Sequence, residues 1–291
     1  MFFLPTKETP ILCQGITSNA GAVHTELALA YGSNIVAGTS SDKNIRQFLG
    51  VPVYKTVAEA MRIKKPQVSV IFSPAAHALA DVTEAIKAGI EMIVCTTERV
   101  PMHDALAMKR LANEAGVCLL GPSSMGIGVM NQTIAGSIPL HLFSLGKIGL
   151  VGRSSSLMWE VARQLEKEKL GISCCVSLGA DHLIGTSFIP PVKALLADDK
   201  TQALILVGQV HGELEYELAD FYQKQKNKKP MWFYIPGRSL DRSDKRPFLG
   251  MQTVKFADVI ETKKETLLKA GIHWIETPDS FGTTLKKELR K

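Results

Sequence analysis

The sequence has no run of about twenty consecutive apolar residues, so no segment reads as a membrane-spanning helix. Nor does it open on a basic segment followed by a long apolar stretch. The start, MFFLPTKETPILCQG, is interrupted by Pro5, Lys7 and Glu8, and no signal peptide is expected. No CxxC pair occurs, which argues against structural zinc. The cysteines are Cys13, Cys95, Cys118, Cys174 and Cys175. Their odd number, set within apolar runs, excludes a disulfide framework and predicts small buried thiols in strands, in a reducing cytoplasmic compartment. Aromatics are scarce at 7%. They do not interleave with the lysines at 224, 226, 228 and 229 or with the basic tail Lys286, Lys287, Arg290 and Lys291, so no stacking platform for nucleic acid is visible. Those charges fit solvated helix ends, and the net charge of +6 also suits a polyanionic cofactor.

What the chain does contain is ordinary globular material. It has 291 residues, 45% hydrophobic and 21% charged, enough for roughly two domains. Apolar β-rich runs at 11–16, 34–38, 68–73, 92–97 and 117–121 read as buried parallel strands. Between them lie helix-period segments such as AVHTELALAYG, TVAEAMRIKK, DVTEAIKAG and HDALAMKRLANEAG. Gly32, Gly89 and Gly116 stand where a helix hands over to the next strand. This alternation predicts a parallel sheet with helices on both faces. The rhythm breaks over 122–146, which is rich in Gly, Ser and Pro and reads as an interdomain linker. It resumes at KIGLVG and continues to HWIET as a second open α/β sheet. The expected division is 1–127, a linker over 128–146, and 147–291.

The first strand–helix junction is Gln14-Gly15-Ile16-Thr17-Ser18-Asn19-Ala20-Gly21. Small residues there let main-chain amides and a helix N-terminus face an anion. A dinucleotide site would add a central glycine and an acid ending strand two. Here strand two ends Val36-Ala37-Gly38-Thr39 and is followed by Asp42 and Lys43. A lysine at that place suits an extra phosphate, or is simply a solvated loop residue. Ligands of open α/β sheets lie beyond the carboxyl ends of strands, so Phe72-Ser73-Pro74 and Thr96-Thr97-Glu98 are the expected pocket wall. Phe72 could pack on an adenine or lie in the core.

These residues resemble a family, the α subunit of succinyl-CoA synthetase. The family reads like CQGFTGSQGTFH where this chain has CQGITSNAGAVH at 13–24. The match continues with AYG at 30–32, LGVPVYKTVAEA at 49–60, EAIKAGI at 84–90, TTERVP at 96–101, EAGVCLLGP at 114–122 and KIGLVGRSSSL at 147–157. The resemblance implies an N-terminal Rossmann-like CoA-binding domain and a C-terminal flavodoxin-like ligase domain. It implies CoA contacts from the loop 17–20, Lys43 and 96–98. The partners it implies are CoA or an acyl-CoA, and a β-type synthetase subunit or further copies of the chain. Ser18 and Ala20 depart from the family's Gly and Gln.

The same resemblance locates an alteration. The family carries a phosphorylated histidine in a Gly-His-Ala-Gly loop of its second domain, where neutral imidazole relays phosphate. Here that region is 244–253, with Met251 about where the histidine stands, and no histidine occurs between 212 and 272. A thioether cannot carry phosphate. The family's glutamate that orients the histidine is Gln209, its Asn-Cys-Pro-Gly is Ser123-Ser124-Met125-Gly126, and its tyrosine after the serine loop is Trp159. Ser154, Ser155 and Ser156 still precede a helix and could face a phosphate or substrate anion, and Asp181 remains. His182 and His211 are new against the pattern and are candidate replacements for the lost nucleophile. The remaining histidines show no ligand spacing and no metal site is expected. Three functions fit: a CoA-binding subunit with its phosphohistidine chemistry lost or altered, an acid–thiol ligase or acyl-CoA transferase acting on a different acid, and a non-catalytic protein that senses acyl-CoA or assists assembly.

Overall fold

The computed structural model describes residues 1–42, 44–139, 141, 143–237 and 256–289. Its first half is a seven-stranded sheet made of β1 (Ile11–Gln14), β2 (Ile35–Thr39), β3 (Gln47–Phe48), β4 (Val51–Tyr54), β5 (Val68–Ile71), β6 (Met92–Cys95) and β7 (Cys118–Leu120), in the order β3-β4-β2-β1-β5-β6-β7. All neighbours are parallel except β3 and β4. Every residue of β1, β5, β6 and β7 is buried, which is why these strands read as continuous apolar runs rather than alternating ones. The crossovers are α1 (Asn19–Tyr31), α2 (Val57–Lys64), α3 (Ala75–Ala88) and α4 (Met102–Ala115). α1, α3 and α4 stop on Gly32, Gly89 and Gly116 with φ of 92, 90 and 66°, each returning its N–H to the last turn. Those are the three glycines whose position in the sequence predicted a helix stop.

The second sheet contains β8 (Gly126–Val129), β9 (Thr133–Gly136), β10 (Leu145–Gly152), β11 (Ile172–Ser177), β12 (Ala203–Val207), β13 (Met231–Tyr234) and β14 (His273–Trp274), in the order β14-β13-β12-β10-β11-β8-β9. α5 (Ser155–Lys167), α6 (Ile189–Ala197), α7 (Leu214–Gln223), α8 (Phe256–Lys269) and α9 (Phe281–Glu288) connect and cover it. Strands β10 to β14 are parallel, whereas β8 and β9 are an antiparallel hairpin added beside β11.

That hairpin corrects the reading of 122–146 as a linker. The segment is poor in periodicity because its backbones approach too closely for side chains. A Cβ on Gly126 would lie 2.0 Å from the Ala135 carbonyl oxygen, and Gly126 has a φ of +96° that favours glycine. Both strands are fully buried, so neither shows an exposed polar face. The five cysteines are free, buried and in strands as expected, and burial pushes the Cys13 thiol up to about 12. Among the described residues no helix is long and apolar enough to cross a membrane.

One apolar cluster runs through both halves, joining Ile11, Val70, Cys118 and Leu120 to Ile127, Val129, Val176 and Leu206. The halves are also joined by main-chain bonds. Gly121 donates to Leu178 at 3.1 Å, Ala180 to Ser123 at 3.1 Å and Gly185 to Gly121 at 2.9 Å. The contact is so close that a Cβ on Gly185 would sit 2.5 Å from Leu119 Cβ and 2.6 Å from its carbonyl oxygen. Gly185→Ala must push β7 away from the 178–186 segment. It is expected to lower unfolding stability by about 1–3 kcal/mol in a denaturant titration; an unchanged midpoint would show that the two halves are not held by this contact.

Candidate functional site

The chain turns sharply after β1 because the Gln14 side chain is tied on both sides. Its Oε1 accepts from Ser69 Oγ at 2.7 Å and its Nε2 donates to the Asp81 carbonyl at 3.2 Å. Gly15 follows at a φ of +76°. Ser18 then caps α1, accepting from Gly21 N at 3.0 Å and donating to the Phe72 carbonyl at 3.2 Å. Thr17 and Ser40 share a hydroxyl bond of 2.7 Å. Gly21 admits no side chain, since a Cβ would lie 2.1 Å from the Gly15 carbonyl oxygen. Asn19 and Ala20 are exposed at the mouth of this turn. Main-chain amides and the α1 dipole are therefore presented together to solvent.

β1, β5 and β6 are sheet neighbours, so the junctions after them lie side by side. Ser73 carries a buried Oγ without a partner, and its carbonyl accepts from Thr97 Oγ1 at 2.8 Å. Pro74 precedes α3 with no side-chain cap on that helix. Thr96 Oγ1 donates to the Ile71 carbonyl at 2.7 Å, Thr97 is buried and Glu98 is exposed. The Phe72 ring is buried and stacks on His24 at 5.5 Å with an interplanar angle of 11°. Of its two readings the core one describes the ring, while its carbonyl belongs to the Ser18 turn. Lys43 lies outside the described residues. The structure thus brings 17–21, 73–74 and 96–98 to one edge of the first sheet.

That edge adjoins the second half. Ser123 N donates to the Thr97 carbonyl at 2.9 Å, and Ala180 N to the Ser123 carbonyl at 3.1 Å. Residues 180–182 therefore begin where 96–98 end. Arg153, only 2% exposed, holds them from below: its Nε donates to the Gly179 carbonyl at 3.2 Å and its Nη2 to the Asp181 carbonyl. Burial lowers the guanidinium to about 10, partly offset by Glu215 and Asp181, so it is charged at neutral pH. Burial and Glu98 push the Asp181 carboxyl upward, against the pull of His182 and Arg153.

His182 and His211 come together, with ring centroids 4.4 Å apart. Burial pushes His211 down to about 4, reinforced by Arg153, His182 and Lys263, so its imidazole is neutral at physiological pH. Its Nε2 is buried and without a partner, as is Gln209 Oε1. Gln209 Nε2 donates to the Ala180 carbonyl at 3.2 Å. His182 borders two cavities. The larger, about 720 Å³, lies between the two halves against Lys109, Asn113, Arg153, Thr186 and Glu213; the smaller, about 220 Å³, lies against Arg99, Met102 and Asp181. Ser154 caps α5, accepting from Leu157 N at 3.5 Å, and Ser155 and Ser156 open its first turn. Trp159 donates its indole N–H to Met125 Sδ at 3.2 Å, and Ser124 Oγ donates to the Ser177 carbonyl at 2.6 Å. Two of the residues that depart from the family pattern, Trp159 and Met125, are thus bonded to each other. Met251 lies outside the described residues. Among the described residues no group of three or more His, Cys, Asp or Glu could hold a metal ion.

Sequence reasoning missed Glu215 and Lys263. They form an ion pair of 2.6 Å whose side chains are 1% and 0% exposed. Both sit on helices, where charged residues read as solvated faces, and no local pattern sets them apart.

A family model described as a CoA binding domain matches residues 6–99. Over 278 residues the chain is 37% identical to the ADP-forming succinate–CoA ligase subunit alpha 2 of Archaeoglobus fulgidus, covering 96% of each. Over 292 residues it is 34% identical to the corresponding subunit alpha of Aquifex aeolicus, covering 100% of this chain and 95% of that one. Among solved structures it resembles ATP citrate lyase from Methanothrix soehngenii in complex with citrate and coenzyme A, with a TM-score of 0.80, 19% identity, and coverage of 98% of this chain and 50% of that one. A dinucleotide-forming acetyl-coenzyme A synthetase 1 of Ca. Korarchaeum cryptofilum gives a TM-score of 0.74 at 19% identity, covering 93% and 58%. At such identities the likeness is one of fold, and the chain spans only about half the length of those solved chains.

The His211 environment has a consequence for stability. Its folded value lies below the ordinary 6.5, so between about 6.5 and 4 the unfolded chain binds a proton that the native chain does not. Stability contributed by neutral His211 is present above 6.5 and is lost as pH falls towards 4. Unfolding titrations across that range are expected to show a shallower acid loss for His211→Gln than for the natural sequence; parallel curves would contradict a neutral, buried imidazole.

Proposed function

The chain belongs to the succinyl-CoA synthetase (succinate–CoA ligase) α-subunit family, and from that premise we propose that it is a CoA- or acyl-CoA-binding subunit that has lost the family's phosphohistidine relay. CoA binding is assigned to the first half. The phosphates of the nucleotide face the amides of 17–21 and the N-terminus of α1, where the dipole favours negative charge. The wall is 73–74 and 96–98, and Lys43 suits the additional phosphate. The pantetheine arm then runs along 96–98 towards 180–182, bringing the thiol to the cavities bordered by His182.

The observation that carries the loss of the relay is the make-up of that cleft. A phosphohistidine relay needs a histidine and a carboxylate to stabilise its imidazolium. No histidine occurs between 212 and 272. The carboxylate is replaced by Gln209, whose amide is bonded to the Ala180 carbonyl. Glu215, whose side chain bonds the Gln209 amide, is paired with Lys263 at 2.6 Å. His211 is kept neutral, but its Nε2 is buried away from the cavities that His182 borders.

A second reading, an acid–thiol ligase or transferase acting on another acid, is favoured by one feature, the placing of His182 beside Arg153 at the larger cavity. In either case a β-type subunit is the natural partner class. A sensing or assembly role follows if CoA binds and no chemistry is found.

The CoA reading is tested at the exposed mouth of the first turn. CoA is expected to raise the melting temperature of the natural protein in proportion to log concentration above its Kd. Ala20→Glu puts a carboxylate where a phosphate would lie, at a position exposed enough to leave the fold intact. It is expected to weaken CoA by about tenfold or more, roughly 1.4 kcal/mol. Equal stabilisation of both proteins by CoA would place the ligand elsewhere.

A further inference from the structure

Lys263 lies on α8 and Glu215 on the first turn of α7. Among the described residues theirs is the one ion pair buried on both sides. Lys263 Nζ donates to Glu215 Oε2 at 2.6 Å and also to the carbonyls of Gln209 at 3.1 Å and His211 at 3.4 Å, so each of its three N–H groups has an acceptor. The other Glu215 oxygen accepts from Gln209 N at 3.1 Å. Three main-chain groups of 209–211 are thereby fixed by one pair of side chains. Gly208, just before them, has no room for a Cβ, which would lie 2.6 Å from Glu215 Oε1.

Stability does not require this arrangement. A buried ion pair loses much of its attraction to desolvation, and apolar residues of similar volume often serve as well. What apolar residues cannot supply is direction. The ammonium takes two carbonyls of the loop and the carboxylate takes an amide, so the main chain can lie in one way only. The side chains thus aimed are Gln209, bonded to Ala180, and His211, packed against His182. Each has a buried polar atom left without a partner, Gln209 Oε1 and His211 Nε2.

We propose that Lys263 is a positioning residue of the interdomain cleft: with Glu215 as its counter-ion, it fixes the 209–211 main chain so that Gln209 and His211 back the 180–182 loop and set His182 at the cavity that the thiol end of CoA enters. This rests on the pantetheine arm reaching the cleft, as proposed above. The Lys263 charge has a second effect. With Arg153 and His182, and after burial itself, it opposes protonation of His211. The other charged groups near this loop are Glu215, Asp181 and Glu98.

Lys263→Met alone leaves Glu215 buried without a counter-ion and is expected to unfold the second domain. The test therefore uses Lys263→Met together with Glu215→Gln, in the full chain, which removes both charges and keeps the volume. Two readouts separate positioning from general structure. Calorimetric titration compares CoA with adenosine bisphosphate, the nucleotide half that lacks the pantetheine arm. The double variant is expected to bind the nucleotide half within about twofold of the natural protein and CoA about tenfold more weakly, the loss of roughly one well-placed hydrogen bond. Imidazole NMR follows His211, whose midpoint is expected to move away from about 4 once the 209–211 main chain is no longer held. Undiminished CoA affinity, or an unmoved His211 midpoint, would overturn the proposal. If the natural protein bound neither ligand, the CoA reading itself would fail, and the His211 midpoint would still decide whether Lys263 governs this loop.

Discussion

Everything that this molecule offers as a site depends on one contact, the main-chain join between 118–124 and 178–186. Gly121 donates to Leu178 and accepts from Gly185, while Ser123 takes bonds on both sides, from its own N–H to Thr97 and from Ala180 to its carbonyl. Gly179 sits so tightly that a Cβ would fall 2.2 Å from the Pro122 carbonyl oxygen. Two open sheets are joined there through the loops that follow β7 and β11. The consequence is that loops from three separate strands meet: Ser123 bonds both Thr97 and Ala180, and Ala180 also accepts from Gln209.

Arg153 holds 179–181, and Ser154 caps α5. Of the residues that differ from the family pattern, Trp159 bonds Met125 and His182 packs on His211, while Gln209 bonds the Ala180 carbonyl. Gln209 Oε1 and His211 Nε2 are buried without partners, His211 is held neutral, Arg153 keeps its charge, and Glu215 is matched by Lys263.

Much of the fold was legible from sequence because parallel strands buried on both faces must be apolar throughout, and because Gly32, Gly89 and Gly116 mark helix stops physically. The hairpin of β8 and β9 was not, since Gly126 and Gly136 are there to let backbones meet, and glycine-rich segments look like linkers. The short strand β3 and helix α9 carried too few residues to show a period. The first-turn loop was legible because its chemistry is main-chain and local. The aromatic at 72 was ambiguous, and packing on His24 resolved it. His182 and His211 could be placed near strand ends but not against each other, because their proximity depends on the join between halves. The Glu215–Lys263 pair was invisible for the same reason: its partners are 48 residues apart and each lies on a helix face that sequence alone would leave in water.

The central claim is that this family member holds CoA at a cleft from which the phosphohistidine has been removed. It is tested most directly by incubating the full chain with a β-type synthetase subunit, CoA, succinate and a nucleoside triphosphate labelled in its terminal phosphate, and counting acid-labile label on this chain. The account predicts none above a control lacking the chain. Stoichiometric acid-labile phosphate, lost in His182→Ala or His211→Ala, would contradict it and assign the relay to one of the new histidines.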